Sequence, residues 1–181
     1  MGENDKEMGH GGKMKIELKK WSFEDKEFLI KMCNTIDRNY LSDRIPDPYT
    51  DESAEWWLNM VEDNDEKNGV FRKIVVDGKI AGAVSVEQKE DVYRKDSEIG
   101  YYLLQEVYSK GIMTEAVRQI CEIAFEKLDI LRITGMVYEP NIASKKVLER
   151  NNFLLEGVMK QAVIKNNNIY DLCIYGKVRR V

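Results

Sequence analysis

A strand that feeds a long amphipathic helix through a single glycine constrains this chain more than any other feature. Ser97 to Leu104 reads as a strand; a polar turn follows, and Gly111 to Leu128 then carries Ala116, Ile120, Ile123, Ala124 and Phe125 at helical spacing. A helix with so wide an apolar stripe must bury it, and a strand directly ahead of it means a sheet is there to receive it.

The remaining segments read the same way. Ile16 and Leu18 alternate as a short strand, and Ser22 opens a helix with Phe23, Phe28, Leu29 and Met32 on one face. Arg44-Ile45-Pro46-Asp47-Pro48 is a loop, because two nearby prolines block both helix and ladder. Thr50 or Asp51 opens a second helix, where adjacent Trp56 and Trp57 cannot share one face. At least one is expected in the core; the other either walls a slot beside the Pro46–Tyr49 loop or is buried too, and burial of both is the safer reading. Val70–Val76 and Ile80–Glu87 flank Asp77-Gly78, a strong hairpin signal. Leu131–Tyr138 is a strand, and Ile142–Arg150 a helix with Ala143, Val147 and Leu148 inward. Phe153–Ile164 and Ile169–Lys177 are strands about the turn Asn166-Asn167-Asn168. The sum is one α/β (α+β mixed) domain over residues 14–181, with a mixed, mostly antiparallel sheet of about seven strands and about four helices. Residues 1–13, rich in glycine and without periodicity, are expected to form a disordered, dispensable tail.

Composition narrows the chemistry. The chain has 181 residues, a net charge of −4 and 43% apolar residues, which suits one globular core and argues against a nucleic-acid groove. No apolar run approaches the ~20 residues of a bilayer span, so no membrane partner is expected. The three cysteines are far apart and lack paired spacing, which reads as reduced thiols in the cytoplasm, with no zinc site. The single histidine, His10, lies in the leader, which leaves the folded part without a metal centre or a Ser-His-Asp triad.

Chemistry is expected where strands run into helices. The turn Gln105–Thr114 aims successive amides at the N-terminus of the long helix, an arrangement that suits a phosphate, with Lys110 adding charge and Gly111 removing a Cβ. A purely structural turn reads equally well, and the loop matches neither dinucleotide fingerprint nor P-loop. A second such turn follows Tyr138, where Asn141 is a natural helix cap and Ser144 sits in the first turn.

Glu98-Ile99-Gly100-Tyr101-Tyr102-Leu103, then Tyr108-Ser109-Lys110-Gly111-Ile112-Met113-Thr114-Glu115-Ala116, then Asn141-Ile142-Ala143-Ser144 through Phe153 resembles the GNAT N-acetyltransferases. More narrowly, it resembles the branch that acetylates ribosomal-protein N-termini, with its spermidine-acetylating relatives. The resemblance spans about residues 14–178. It implies acetyl transfer from acetyl-CoA to a primary amine, either a protein N-terminus or a small amine or polyamine such as spermidine. It also implies that the amides of Tyr108, Ser109, Lys110, Gly111, Ile112, Met113 and Thr114 cradle the cofactor pyrophosphate. The backbones of Leu103 and Leu104 would bond the pantetheine and acetyl group as an added strand does, and Asn141 would contact the same arm. Tyr108, Ser109 and Met113 depart from the residues commonest in that cradle.

The reaction needs a proton taken from the amine, a donor for the oxyanion and a partner for the leaving thiolate. With no histidine in the domain, the base is a carboxylate; Glu98 is the candidate, beside the reading that it is an ordinary strand-start glutamate. Ser144 is the candidate acid, with Tyr138 or Tyr102 as alternatives. A non-catalytic CoA-binding module is the rival reading, and exposed edge strands admit a homodimer.

Overall fold

Local periodicity becomes seven strands and four α-helices among residues 12–179, the part of the chain that a computed structural model describes. In chain order these are β1 (Ile16–Lys19), α1 (Lys26–Cys33), α2 (Asp51–Asn64), β2 (Gly69–Val76), β3 (Lys79–Gln88) and β4 (Ser97–Leu103). There follow α3 (Ile112–Lys127), β5 (Arg132–Tyr138), α4 (Ile142–Arg150), β6 (Leu154–Lys165) and β7 (Asn168–Val178). Of the tail expected at 1–13, residues 1–11 lie outside the described residues.

The strands form one sheet in the order β1-β2-β3-β4-β5-β7-β6. Neighbours are antiparallel throughout except β4 and β5, which run parallel. A parallel pair needs a crossover, and α3 supplies it. The β2–β3 hairpin turns at Asp77 (φ 47°) and Gly78 (φ 83°), the two left-handed residues that such a tight turn requires.

Two apolar layers cover the sheet. On one face Ile112, Ala116, Ile120 and Ala124 of α3 and Leu148 of α4 pack on Val70, Ile74, Val84, Val86 and Ile99. On the other, Leu29 and Met32 of α1 and Ala54, Leu58 and Val61 of α2 meet Phe71 and Ala83. β6 leaves Leu154, Leu155, Val158 and Met159 exposed.

Three sequence expectations are corrected. The helix expected from Ser22 begins as a short 3₁₀ turn, Phe23–Asp25, before α1. There the Asp25 carboxylate accepts the Ser22 N–H at 2.9 Å and Lys73 Nζ of β2 at 2.6 Å, and this anchors a tighter turn with Phe23 outside. Trp56 is 69% exposed, whereas its neighbour Trp57 packs edge-on against Trp21 and Phe71; adjacent helical positions point about 100° apart, so one face cannot bury both. Ala143 is also exposed, because α4 turns Leu148 to the core.

Candidate active site

β4 and β5 stay together only at their beginnings. Glu98 pairs with Thr134 and Ile99 with Gly135; beyond these the strands part, and Gly100–Leu103 faces Met136–Tyr138 across an open wedge. β3 continues to pair with β4 as far as Gly82 and Leu103, so β4 is held from one side and bare on the other. The Leu104 N–H donates to Ala81 O at 2.8 Å. Antiparallel ladders alternate, and therefore the N–H and C=O of Leu103, like those of Tyr101, turn toward the wedge. Of the two leucines expected to offer backbone there, Leu103 has its amide available and Leu104 has committed its own.

The turn after β4 presents a second set of unpaired donors. Tyr108 N–H donates to Gln105 O at 3.1 Å, which closes a 3₁₀ turn and removes that amide from the expected cradle. Among the described residues, the amides of Ser109, Lys110, Gly111, Ile112, Met113 and Thr114 donate to no backbone carbonyl. Ser109 (φ 62°) and Gly111 (φ 75°) both sit in the left-handed region, which curls the loop so that these N–H groups precede the positive end of α3. The Lys110 ammonium reaches back to Glu106 O at 3.3 Å and is exposed. Such an array of donors at a helix start suits a phosphate.

α4 closes the wedge on the α3 side. Asn141 Oδ1 accepts the Ser144 N–H at 3.2 Å, capping the helix as its sequence suggests. Buried Asn151, one residue past α4, donates to Thr114 O at 3.0 Å and ties it to the first turn of α3. The Ser144 hydroxyl lies 2.7 Å from that of Tyr101. Burial pushes the Tyr101 phenol up to about 12, against the opposing hydrogen bond from Ser144.

Glu98 stands on the opposite face. Ile99, Tyr101 and Leu103 pack toward α3, so alternation sends Glu98, Gly100 and Tyr102 toward α1 and α2. Glu98 and Ser144 thus flank the wedge from its two sides. Directly across from Glu98 on β3 is Glu87, which the sequence reading did not single out. Glu87 is open to solvent on one side. The surrounding walls nonetheless desolvate its carboxyl and, together with Glu98, outweigh the attraction of Arg44 and raise it above its ordinary value. Eleven positions separate the two glutamates in the chain, and only the register of β3 on β4 brings them together.

The loop between α1 and α2 overhangs this face and is pinned from inside. Arg38 donates to Cys33 O at 2.6 Å, Ile45 O at 2.7 Å and Pro46 O at 2.9 Å, and Asn34 bonds both the N–H and the C=O of Tyr49. Its outer edge meets the β6–β7 hairpin: Asp43 pairs with Lys165, and Tyr40 lies edge-on to Tyr170, which stacks on Tyr138. Tyr102 is half-buried, with its hydroxyl 3.5 Å from Cys33 Sγ. Cys33, Cys121 and Cys173 are all unpaired and buried; burial raises the Cys33 thiol and carries Cys121 to about 11, the reverse of an activated nucleophile. Lys145 pairs with Glu139 at 3.4 Å.

Residues 15–154 match the Acetyltransferase (GNAT) domain. The chain belongs to the GNAT acetyltransferase family. It is an acyltransferase enzyme.

A Bacillus subtilis relative provisionally named ribosomal N-acetyltransferase YdaF is 34% identical over 113 residues, 62% of this chain and 61% of that protein. Two solved structures share the fold. RimL, a ribosomal alpha-N-protein acetyltransferase in complex with coenzyme A, superposes with a TM-score of 0.78 at 23% identity, covering 90% of this chain and 93% of its own. The microcin self-immunity acetyltransferase MccE, in complex with acetyl-CoA and AMP, gives 0.74 at 26% identity, covering 91% and 92%. Among the described residues no helix is long and apolar enough to cross a membrane, and no cluster of histidine, cysteine and carboxylate suits a metal ion.

Proposed function

We propose that this GNAT enzyme transfers the acetyl group of acetyl-CoA to the α-amine of a protein N-terminus, by direct attack within a ternary complex in the cytoplasm. The observation that carries the cofactor assignment is the pairing of the bare β4 edge with the free amides of Ser109–Thr114. One offers a strand-like partner to an amide-bearing arm, and the other a set of N–H donors to a pyrophosphate.

In this reading Leu103 N–H serves the pantetheine or the developing oxyanion, and Asn141 borders the same passage. The acceptor amine approaches from the α1 and α2 face. There Glu98 removes its proton, directly or through water, with Glu87 keeping the local charge negative around an incoming ammonium. Ser144, on the other side, hydrogen-bonds the departing sulfur. Much of the acceleration comes from holding amine and thioester together. The relative named for ribosomal acetylation and the likeness to RimL support a protein acceptor. The Glu87–Glu98 pair also favours a second reading, a polyamine acceptor, because adjacent carboxylates attract a polycation.

Thermal unfolding with acetyl-CoA, CoA, ATP and NAD tests the cofactor. Ligand at 100 times its dissociation constant adds ~2.7 kcal/mol, a rise of roughly 5–11 °C for a chain this size. A shift with acetyl-CoA and CoA alone is expected, and no shift at millimolar acetyl-CoA overturns the reading. Thiol release with an N-terminal peptide against spermidine then decides the acceptor.

A further inference from the structure

Ser144 has a backbone fixed by the Asn141 cap, but a hydroxyl near a helix start is free to rotate and to bond a carbonyl of the preceding turn. Here its partner is a side chain from another strand. Tyr101 is two residues beyond the last β4–β5 pair, on the α3 face of β4, and its phenol reaches α4, the element that follows β5, to meet Ser144 Oγ at 2.7 Å. The bond therefore links the two diverging strands at the point where their own ladder has stopped.

Each hydroxyl carries one hydrogen, and the phenol is much the stronger donor of the two. When Tyr101 donates to Ser144 Oγ, the serine keeps its own hydrogen for another acceptor. We propose that Tyr101 is a positioning residue for acetyl transfer: its phenol holds the Ser144 hydroxyl with its hydrogen turned into the wedge, toward the leaving sulfur. The inference rests on the acetyl-transfer reading above. The burial that keeps Tyr101 protonated through the working pH range keeps the orientation constant. The balance of the reaction is unchanged. The amine nitrogen forms a bond to the acetyl carbon, the C–S bond breaks with its electron pair on sulfur, and the proton lost by the amine ends on the thiol. Ser144 contributes a hydrogen bond while sulfur carries charge, and Tyr101 contributes the direction of that bond.

A double-mutant cycle on thiol release tests this with Tyr101→Phe, Ser144→Ala and both together, each variant checked for its melting temperature and its acetyl-CoA-induced shift. Tyr101→Phe keeps the ring and its packing. The expected result is a ~3- to 10-fold lower kcat for Tyr101→Phe, the rate equivalent of one ordinary hydrogen bond, with KM for acetyl-CoA within about two-fold and the pH profile unmoved. Ser144→Ala is slower still, and the double variant is no slower than Ser144→Ala, because Tyr101 has nothing left to position. Losses that multiply in the double variant, an unchanged kcat in Tyr101→Phe, or a displaced alkaline limb each overturn the inference while wild-type turnover leaves the acetyl-transfer reading standing. A wild-type protein that neither shifts with acetyl-CoA nor releases thiol overturns that reading and this inference with it.

Discussion

Replacing Gly82 by alanine strikes the wedge through its supporting strand. A Cβ at position 82 would stand 2.3 Å from Tyr102 O and 3.0 Å from Leu103 Cα, both backbone atoms of β4. Nothing there can rotate away, so the strands must separate by about 0.7 Å to restore even the tightest tolerated contact. Overpacking of this kind costs ~1–3 kcal/mol, and a backbone obstacle puts Gly82→Ala near the upper figure. At roughly 2–4 °C per kcal/mol, melting should fall by about 6–12 °C. The displaced segment carries Leu103, whose amide faces the wedge, and a misplacement of ~1 Å can cost up to 10²-fold in rate. Thiol release at saturating acetyl-CoA should therefore fall about 10- to 100-fold even in protein that is fully folded at the assay temperature. Gly100→Ala is the control for stability, since a Cβ there meets only Ser85 Oγ, at 3.8 Å, and its melting should be unchanged or slightly raised. A Gly82→Ala protein that melts within about 2 °C of wild type and turns over normally would refute the close-approach argument.

Gly111→Ala meets open space but forces alanine to φ 75°; strain of ~1–2 kcal/mol, less ~0.4–1 from the stiffer unfolded chain, should lower melting by a few degrees and weaken the acetyl-CoA-induced shift. Arg38→Ala removes donors to three carbonyls of the α1–α2 loop and should raise KM for the acceptor well above any change for acetyl-CoA, as steady-state kinetics in both substrates will show. The Arg118 fork holds the Glu115 carboxyl down to about 2 from its ordinary 4.5. Because the folded value is the lower one, that contribution to stability is complete above pH 4.5 and is lost as pH falls toward 2. Glu115→Gln should accordingly melt below wild type at pH 7 and converge with it near pH 2.

Much of the scaffold was readable in the residues themselves. Asp77-Gly78 marks its hairpin because the turn requires two left-handed residues at adjacent positions, and Gly111 marks the start of α3 for a similar reason. The stripe of Ala116, Ile120 and Ala124 is as buried as its spacing suggests. Where a local signal had two outcomes, the reading failed. Ser22 and Asp25 do form a capping pair, yet Lys73 from β2 shares the carboxylate and leaves Phe23 in solvent. Trp56 and Trp57 look alike as residues, and only the seating of α2 on Phe71 chose between them. Leu103 and Leu104 were likewise indistinguishable until the bond to Ala81 showed which amide was spent.

The chain by itself determined which segments are strands or helices, where they turn and which face of each is apolar, because those properties depend on backbone preference and periodicity within a few positions. The tertiary structure alone decided where β4 and β5 part, that Glu87 lies across from Glu98, that Arg38 clamps the overhanging loop, and that Tyr101 meets Ser144 from 43 positions away. Those relations depend on register and on how layers pack, and a sequence carries them only as the sum of many weak contacts made at a distance.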